Sequence, residues 1–308
     1  MNDPITSLDA LLDALRGRPP RRVAVAAGHD PHTIAAAARA AGEGIAAMVL
    51  VGDAARIHTL CDEHGIDAAL FEIVPEDDTA AAGRRARDMV RAGDADVLMK
   101  GLIGTADYMR LILDREHGLL PPGALLTHAT VFELPAYRRR HGKLLLGGDV
   151  AIIPAPTLEQ KRSILRSLVD AAHRFGLERP RVAVLAASEK VSERMPATVE
   201  AAALRDEAPE MFPDALVDGP LALDVALSPE ACAIKGLDSP VGGAADVLLF
   251  PNIESGNVFY KAATLLAGAR LAAAVVGTTA PCVLTSRADA EESKFLSIAL
   301  GCRLAGDA

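Results

Sequence analysis

Short apolar runs alternate with alanine-rich amphipathic stretches along most of the chain. Strands are predicted at VAVAAG (23–28), AAMVLVG (46–52), FEIVP (71–75), DVLMKG (96–101) and ALLTHATVFEL (124–134). Five more are predicted at KLLLGGD (143–149), RVAVLAA (181–187), ADVLLFPN (245–252), LAAAVVG (271–277) and PCVLT (281–285). Runs this apolar suit strands covered on both faces, which is the environment of a mostly parallel sheet. Helical spacing fills the intervals. It is clearest after Thr157, where Ile164, Leu168 and Ala172 share a face with Leu165 and Val169. Thr157 and Gln160 form a capping box at its start, and Gly176 supplies the stop. Strand–helix alternation with short links predicts an α/β fold.

Length allows two such domains: the chain has 308 residues, against roughly 100–200 per domain. Pro135 to Lys143 interrupts the apolar pattern, and a second crossing is expected near Gly277. The resulting division is residues 1–136 plus 277–308 for one α/β domain and 137–276 for the other, with the last segment returning to the first domain to close a cleft.

Composition narrows the function classes. Hydrophobic residues make up 50%, aromatics only 3%, and Trp is absent, so the core is expected to be Ala, Val, Leu and Ile. The formal net charge of −9 argues against a nucleic-acid partner, which needs a basic face. The dense basic run Arg138-Arg139-Arg140 reads either as a solvated loop or as a clamp for a phosphorylated ligand. Four scattered Cys without a CxxC pair point to reduced thiols rather than a disulfide framework or structural zinc. The acidic N-terminal stretch lacks the basic region of a signal peptide. The apolar stretch Leu271 to Leu284 is too short to span a bilayer. A soluble, cytoplasmic protein with no membrane contact is expected.

Candidate chemistry sits where strands end, because helix N-termini there attract anions. In MKGLIGTADYMR (99–110), Gly101 and Gly104 permit close backbone approach, Thr105 or Asp107 opens a helix, and Arg110 adds a cation one turn in. This segment is either a tight βα turn or an oxyanion or phosphate cradle; it matches neither the Walker loop nor GxGxxG. In LTSRADAEESK (284–294), Ser286, Arg287 and Asp289 cluster at one strand end; they suit phosphate recognition or cap the last helix. In FPNIESGNVFYK (250–261), Asn252, Glu254, Ser255, Gly256 and Asn257 precede a helix, as a capped turn or as polar groups beside a cleft. His29 and His32 flank Pro31 without metal-site spacing; Asp30 as N-cap with Pro31 at the first helical position is the simpler reading. No metal motif, dinucleotide fingerprint or Ser-His-Asp order stands out.

At these same residues the sequence resembles the phosphate acetyltransferase and phosphate butyryltransferase family. The matching stretches, in order from about residue 90, are VLMKGLIGTADYMR, LLTHATVFELP, LLGGDVAI, VAVLAASEKVSERMPAT, DGPLALDVALSPEACAIKGLDSPVGGAADVLLFPNIESGNVFYKA and VLTSRADAEESK. The resemblance implies two α/β domains around a cleft, similar to isocitrate and isopropylmalate dehydrogenases, and a homodimer. It implies the reaction acyl-CoA plus phosphate giving acyl phosphate plus CoA, with CoA as substrate or product, no tightly bound cofactor, and an acyl kinase as metabolic partner. It implies that Ser286 lies near the CoA sulfur, that Arg287 holds the phosphoryl group, and that Arg110 also stands at the acyl phosphate. Asp149 is kept, within GDVAI (148–152) where the family often reads TDAAI, so that Gly148 is the departure. The family aspartate proposed to deprotonate CoA falls on Ser293, which leaves Asp289 and Glu292 as candidates. A second family arginine, near His128, has no counterpart. The forms SRAD, KVSERMPAT and KGLDSPVGGAAD resemble the butyryl branch more than the acetyl branch. The competing readings are a non-catalytic CoA or acyl-phosphate sensor of the same fold, motivated by Ser293, and a metal-dependent oxidative decarboxylase using NAD, which needs an aspartate cluster.

Overall fold

A computed structural model describes residues 3–285 and 290–306. Among the described residues eleven strands occur: β1 (Arg21–Ala26), β2 (Ala46–Gly52), β3 (Phe71–Pro75), β4 (Val97–Lys100), β5 (Thr127–Glu133), β6 (Leu145–Gly148), β7 (Arg181–Leu185), β8 (Leu216–Leu221), β9 (Val247–Leu249), β10 (Arg270–Val276) and β11 (Cys282–Val283). Helices separate most of them, so the fold is α/β with a mostly parallel sheet, as the alternation predicts.

The chain packs as two compact units, Asp9–Leu126 with Ala272–Ala308, and Met1–Leu8 with Thr127–Leu271. In the first, the strands run β3-β2-β1-β4-β11, all parallel, and β10 pairs antiparallel with β11, Val275 opposite Cys282. Val23, Val25, Leu50, Leu98 and Met99 are fully buried there. In the second, the order is β5-β6-β9-β7-β8, parallel except for the β5–β6 pair. Its core collects Phe132, Leu145, Leu248 and Phe250, with Phe259 and Tyr260 packed against it. Phe132 meets Phe259 edge-on at 5.3 Å between ring centroids, so the few aromatics thicken a core the composition assigns to aliphatics.

Helix ends follow the local sequence. The helix Leu158–Arg174 starts at Thr157 with both capping-box bonds made, Gln160 N to Thr157 Oγ1 at 3.3 Å and Thr157 N to Gln160 Oε1 at 2.9 Å. Asp30 caps Pro31–Gly42 through the Thr33 amide. Strand β8 escapes the hydrophobic pattern because Asp218, Gly219 and Pro220 read as a turn. It ends the strand order of its unit, where a proline costs few ladder bonds. The basic run is also corrected: Arg138, Arg139 and Arg140 lie on a helix, Pro135–His141, not in a loop.

All four cysteines are free and buried. Burial pushes the Cys282 and Cys302 thiols up to about 12 and raises those of Cys61 and Cys232 as well. At pH 8 a thiol of pKa about 12 is ionised in about one molecule in 10⁴, and the thiolate is the reactive form. The native protein should therefore leave a disulfide thiol reagent almost unconsumed over minutes, while the denatured chain consumes four equivalents. One thiol reacting at once in the native protein would contradict this burial.

Candidate functional site

Strand β4 carries the first group of candidate residues. Its last residue is Lys100, after the apolar Val97, Leu98 and Met99. Gly101 then donates its amide to the Ala26 carbonyl at 3.0 Å, and Leu102 donates to Ala27 at 2.8 Å. A Cβ at position 101 would stand 2.8 Å from the Ala26 carbonyl oxygen and closer still to that of Ala27. Glycine is therefore demanded by the end of β1, whatever a ligand adds. Gly104 is the N-cap of the helix Thr105–Leu113 and contributes no side-chain cap, so the amides of its first turn receive no side-chain bond from that position. Arg110 lies one turn in, 77% exposed at the side chain, paired with Asp107 at 2.5 Å. Tyr108 anchors the helix from beneath: its hydroxyl donates to the carbonyls of Leu98 at 2.9 Å and Val283 at 3.2 Å, on β4 and β11.

Ser286, Arg287 and Asp289 lie outside the described residues. Their flanks are described. Thr285 is buried just past β11, and its Oγ1 accepts from Lys294 Nζ at 3.4 Å. Lys294 is 3% exposed, in the first turns of the helix Glu291–Leu304, whose N-cap is Ala290. Glu292 is exposed on that helix, and Ser293 is half-buried. Lys100 is 4% exposed, and its Nζ donates to the Gly101 carbonyl at 3.2 Å. Two buried lysines thus belong to the carboxyl ends of neighbouring parallel strands, one on β4 and one reaching the end of β11. An ammonium removed from water is costly unless polar groups surround it, and once in place it attracts anions. Neither lysine was singled out from the sequence. Lys100 is readable as a charge closing an apolar strand run; Lys294 has no such signal, because its helix is buried nearly all round.

Asp149, Gly256 and Asn257 come together in the other unit. Asp149 is 2% exposed. Its Oδ2 accepts from Thr127 Oγ1 at 2.9 Å and the His128 amide at 3.3 Å, and its Oδ1 from the amides of Ala151 at 2.7 Å and Ile152 at 2.8 Å. The carboxylate therefore ties the start of β5 to the turn after β6. A Cβ at Gly148 would collide with the His128 carbonyl, so glycine is required where these two segments of this chain approach. A Cβ at Gly256 would stand 2.5 Å from the Asp149 carbonyl oxygen, so glycine lets the helix Ile253–Leu265 rest on this turn. Asn257 Nδ2 donates to the Val150 carbonyl at 3.1 Å, and Asn252 caps the helix by accepting from the Ser255 amide at 3.0 Å. The side chain of His128 is buried beside them, Nδ1 at 3.1 Å from Thr130 Oγ1.

Among the described residues no group of three His, Cys, Asp or Glu side chains is placed to hold a metal ion, and no helix is long and apolar enough to cross a membrane.

The chain resembles known proteins over most of its length. The sequence pattern of the family described as phosphate acetyl/butaryl transferase matches residues 78–302. A phosphate butyryltransferase of Clostridium acetobutylicum is 40% identical over 98% of this chain and 99% of its own length. A phosphate acetyltransferase of Thermotoga maritima is also 40% identical, over 95% of this chain and 98% of its own. The crystal structure of a branched-chain phosphotransacylase from Enterococcus faecalis superimposes with a TM-score of 0.82 at 33% identity, covering 92% of this chain and 99% of that one. A 4-hydroxythreonine-4-phosphate dehydrogenase from Burkholderia phymatum, at 13% identity and a TM-score of 0.55 over 93% of this chain and 99% of that one, shares the fold alone. That likeness agrees with the dehydrogenase-like architecture expected from the sequence.

Proposed function

The chain belongs to the phosphate acetyl/butyryl transferase family and is a phosphate acyltransferase, and from that premise we propose that it interconverts short-chain acyl-CoA plus phosphate with acyl phosphate plus CoA by direct transfer. The observation that carries the reading is the cationic end of β4 and β11. Buried Lys100 and Lys294 belong to the strand end from which the Ser286–Arg287 segment departs. An anion is the natural occupant of such a place, and both phosphate and acyl phosphate are anions.

In the direction of acyl-CoA synthesis the CoA thiolate attacks the acyl carbonyl carbon. The C–S bond forms, the bond from that carbon to the phosphate oxygen breaks, and inorganic phosphate leaves with the electron pair. Arg287 and Arg110 are assigned to the phosphoryl oxygens, where they offset charge gathering on the leaving group. Ser286 is assigned to hydrogen-bonding the sulfur. The thiol proton passes to a carboxylate, with Asp289 and Glu292 as candidates, and no protein nucleophile takes part. Holding both substrates together supplies the proximity contribution, several kcal/mol of barrier. Gly101, Gly104 and Thr105 are assigned to the backbone that faces the anion. Asp149, Gly256 and Asn257 are assigned to substrate binding through the turn they hold in place.

The butyryl-like motifs SRAD, KVSERMPAT and KGLDSPVGGAAD favour butyryl over acetyl as the transferred group. The reading places a homodimer in the cytoplasm, supplying or consuming the acyl phosphate of an acyl kinase.

Acetyl-, propionyl-, butyryl- and longer acyl-CoA, each incubated with and without phosphate, test the substrate. Free CoA read with a thiol reagent should appear only with phosphate and fastest near four carbons. A maximum at acetyl would overturn the butyryl preference. CoA binding without phosphate-dependent release from any chain length would favour the sensor reading. In the same assay Ser286→Ala should lower kcat with little change in the KM for phosphate; a rise in that KM alone would make Ser286 a phosphate ligand instead.

A further inference from the structure

The four most exposed large apolar side chains among the described residues are Ile234 (86%), Leu266 (85%), Leu265 (80%) and Val258 (67%). Ile234 lies on the helix Pro229–Lys235; the others lie on the helix Ile253–Leu265 or directly follow it. Both helices cover the same face of the sheet, since Cys232 and Ala263 share one buried cluster with Phe132 and Leu248. None of the four has a part in the reaction above. We infer that the outer side of the helix Ile253–Leu265 is an interface with a second copy of this chain, the two helices running antiparallel about a twofold axis beside Val258.

A single exposed leucine needs no explanation, but an apolar stripe at helical spacing marks a contact surface. The exposed positions of this helix are Glu254, Val258, Lys261 and Leu265, at i, i+4, i+7 and i+11. They share one side of the helix. The side turned to solvent therefore carries Val258 and Leu265, and Leu266 continues it. The other side of the helix is held in place. Gly256 rests on the Asp149 carbonyl and Val150, Asn257 Nδ2 donates to the Val150 carbonyl at 3.1 Å, and Ala263 is buried. The stripe is thus presented on a fixed support.

Charge decides the occupant. Glu254 and Lys261 are both exposed on the stripe, and neither engages a partner of opposite charge among the described residues. They lie seven residues apart, about 10 Å along the helix axis, and Val258 stands beside the midpoint. A twofold axis through that midpoint sets each Glu254 opposite Lys261 of the second copy, brings the two Val258 side chains together at the centre, and leaves Leu265 and Leu266 flanking the charged pairs. A twofold interface demands this self-complementarity, residue i meeting j while j meets i. An unrelated partner has no need of opposite charges spaced evenly about one apolar residue. An anionic membrane would be repelled by Glu254 and by the formal net charge of −9. The inference gives the homodimer of the proposed function its surface, and it rests on that reading for the dimer alone, not for the reaction.

Sedimentation equilibrium of the full chain over a range of concentrations gives the mass and the dissociation constant. The wild-type protein should sediment at twice the chain mass. Glu254→Lys and Lys261→Glu each set like charges opposite one another twice across the axis, and each should weaken the dimer about tenfold. Glu254→Lys combined with Lys261→Glu should restore the wild-type dissociation constant. Glu254 also favours the N-terminal end of its own helix. The exchange does not return that contribution, so recovery reports pairing between copies and not helix stability. Val258→Glu places two carboxylates at the axis and should give a monomer that unfolds near the wild-type midpoint. A monomeric wild-type protein would overturn the inference. So would a dimer equally tight in both single charge variants, an exchange that stays as weak as they are, or a Val258→Glu protein that remains dimeric. Phosphate-dependent release of CoA by the same wild-type preparation judges the transferase reading separately, and its absence would leave the sedimentation result standing.

Discussion

Arg287→Ala should lower kcat/KM for phosphate-dependent acyl transfer by about two orders of magnitude, the usual loss when one charged or hydrogen-bonding contact to a developing charge is removed. That factor corresponds to about 2.7 kcal/mol of transition-state stabilisation. The physical basis is the charge on the phosphate as the carbonyl–oxygen bond breaks: a planar fork can hold two of its oxygens, and a methyl group holds none. Arg287→Lys should recover part of the rate, because a point charge remains while the paired geometry is lost. Thermal unfolding near the wild-type midpoint shows that the variant is folded. A folded Arg287→Ala protein within twofold of the wild-type rate would remove Arg287 from the reaction.

Asp149→Ala should be the most damaging of the substitutions to stability. The carboxylate accepts four hydrogen bonds while 2% exposed. Alanine leaves the Thr127 hydroxyl and the amides of His128, Ala151 and Ile152 without their acceptor. Each buried donor left unsatisfied costs about 1–3 kcal/mol, and partial relaxation brings the total to roughly 3–5 kcal/mol. In a chain of this size that lowers Tm by on the order of 10 °C. Asp149→Asn should fall between, because one oxygen is kept while an NH₂ group faces donors. A Tm unchanged in Asp149→Ala, with only the KM for a substrate raised, would make Asp149 a direct substrate contact and not the tie that holds the turn.

The two predictions differ in how legible their residues are. Arg287 is found by its place after an apolar strand, and its role comes from the family motif around it. Asp149 is found as one letter of that motif, but its work depends on donors at Thr127, His128, Ala151 and Ile152, brought together by the antiparallel pairing of β5 with β6. No local pattern announces that pairing. The same division runs through the fold. The helix Leu158–Arg174 is readable because its capping box and apolar face lie within one stretch of sequence. Strand β8 is not, because an outermost strand tolerates the Asp-Gly-Pro that elsewhere marks a turn. Gly101 and Gly256 are recognisable as glycines near strand ends. Their reasons, carbonyl oxygens of Ala27 and Ala26 for the first and of Asp149 for the second, belong to the tertiary structure. Lys294 is hidden for a related reason: a helix covered on nearly every side has no polar face against which a buried lysine stands out.

Direct transfer between sulfur and phosphate is the central claim, and isotope exchange tests it without reference to any one residue. Acyl phosphate and labelled inorganic phosphate are incubated with the protein, with and without CoA, and the label in recovered acyl phosphate is counted. Direct transfer predicts label in acyl phosphate only when CoA is present, since phosphate re-enters only by attacking acyl-CoA. Label entering without CoA would require an acyl group held on the protein, and that result would contradict the account.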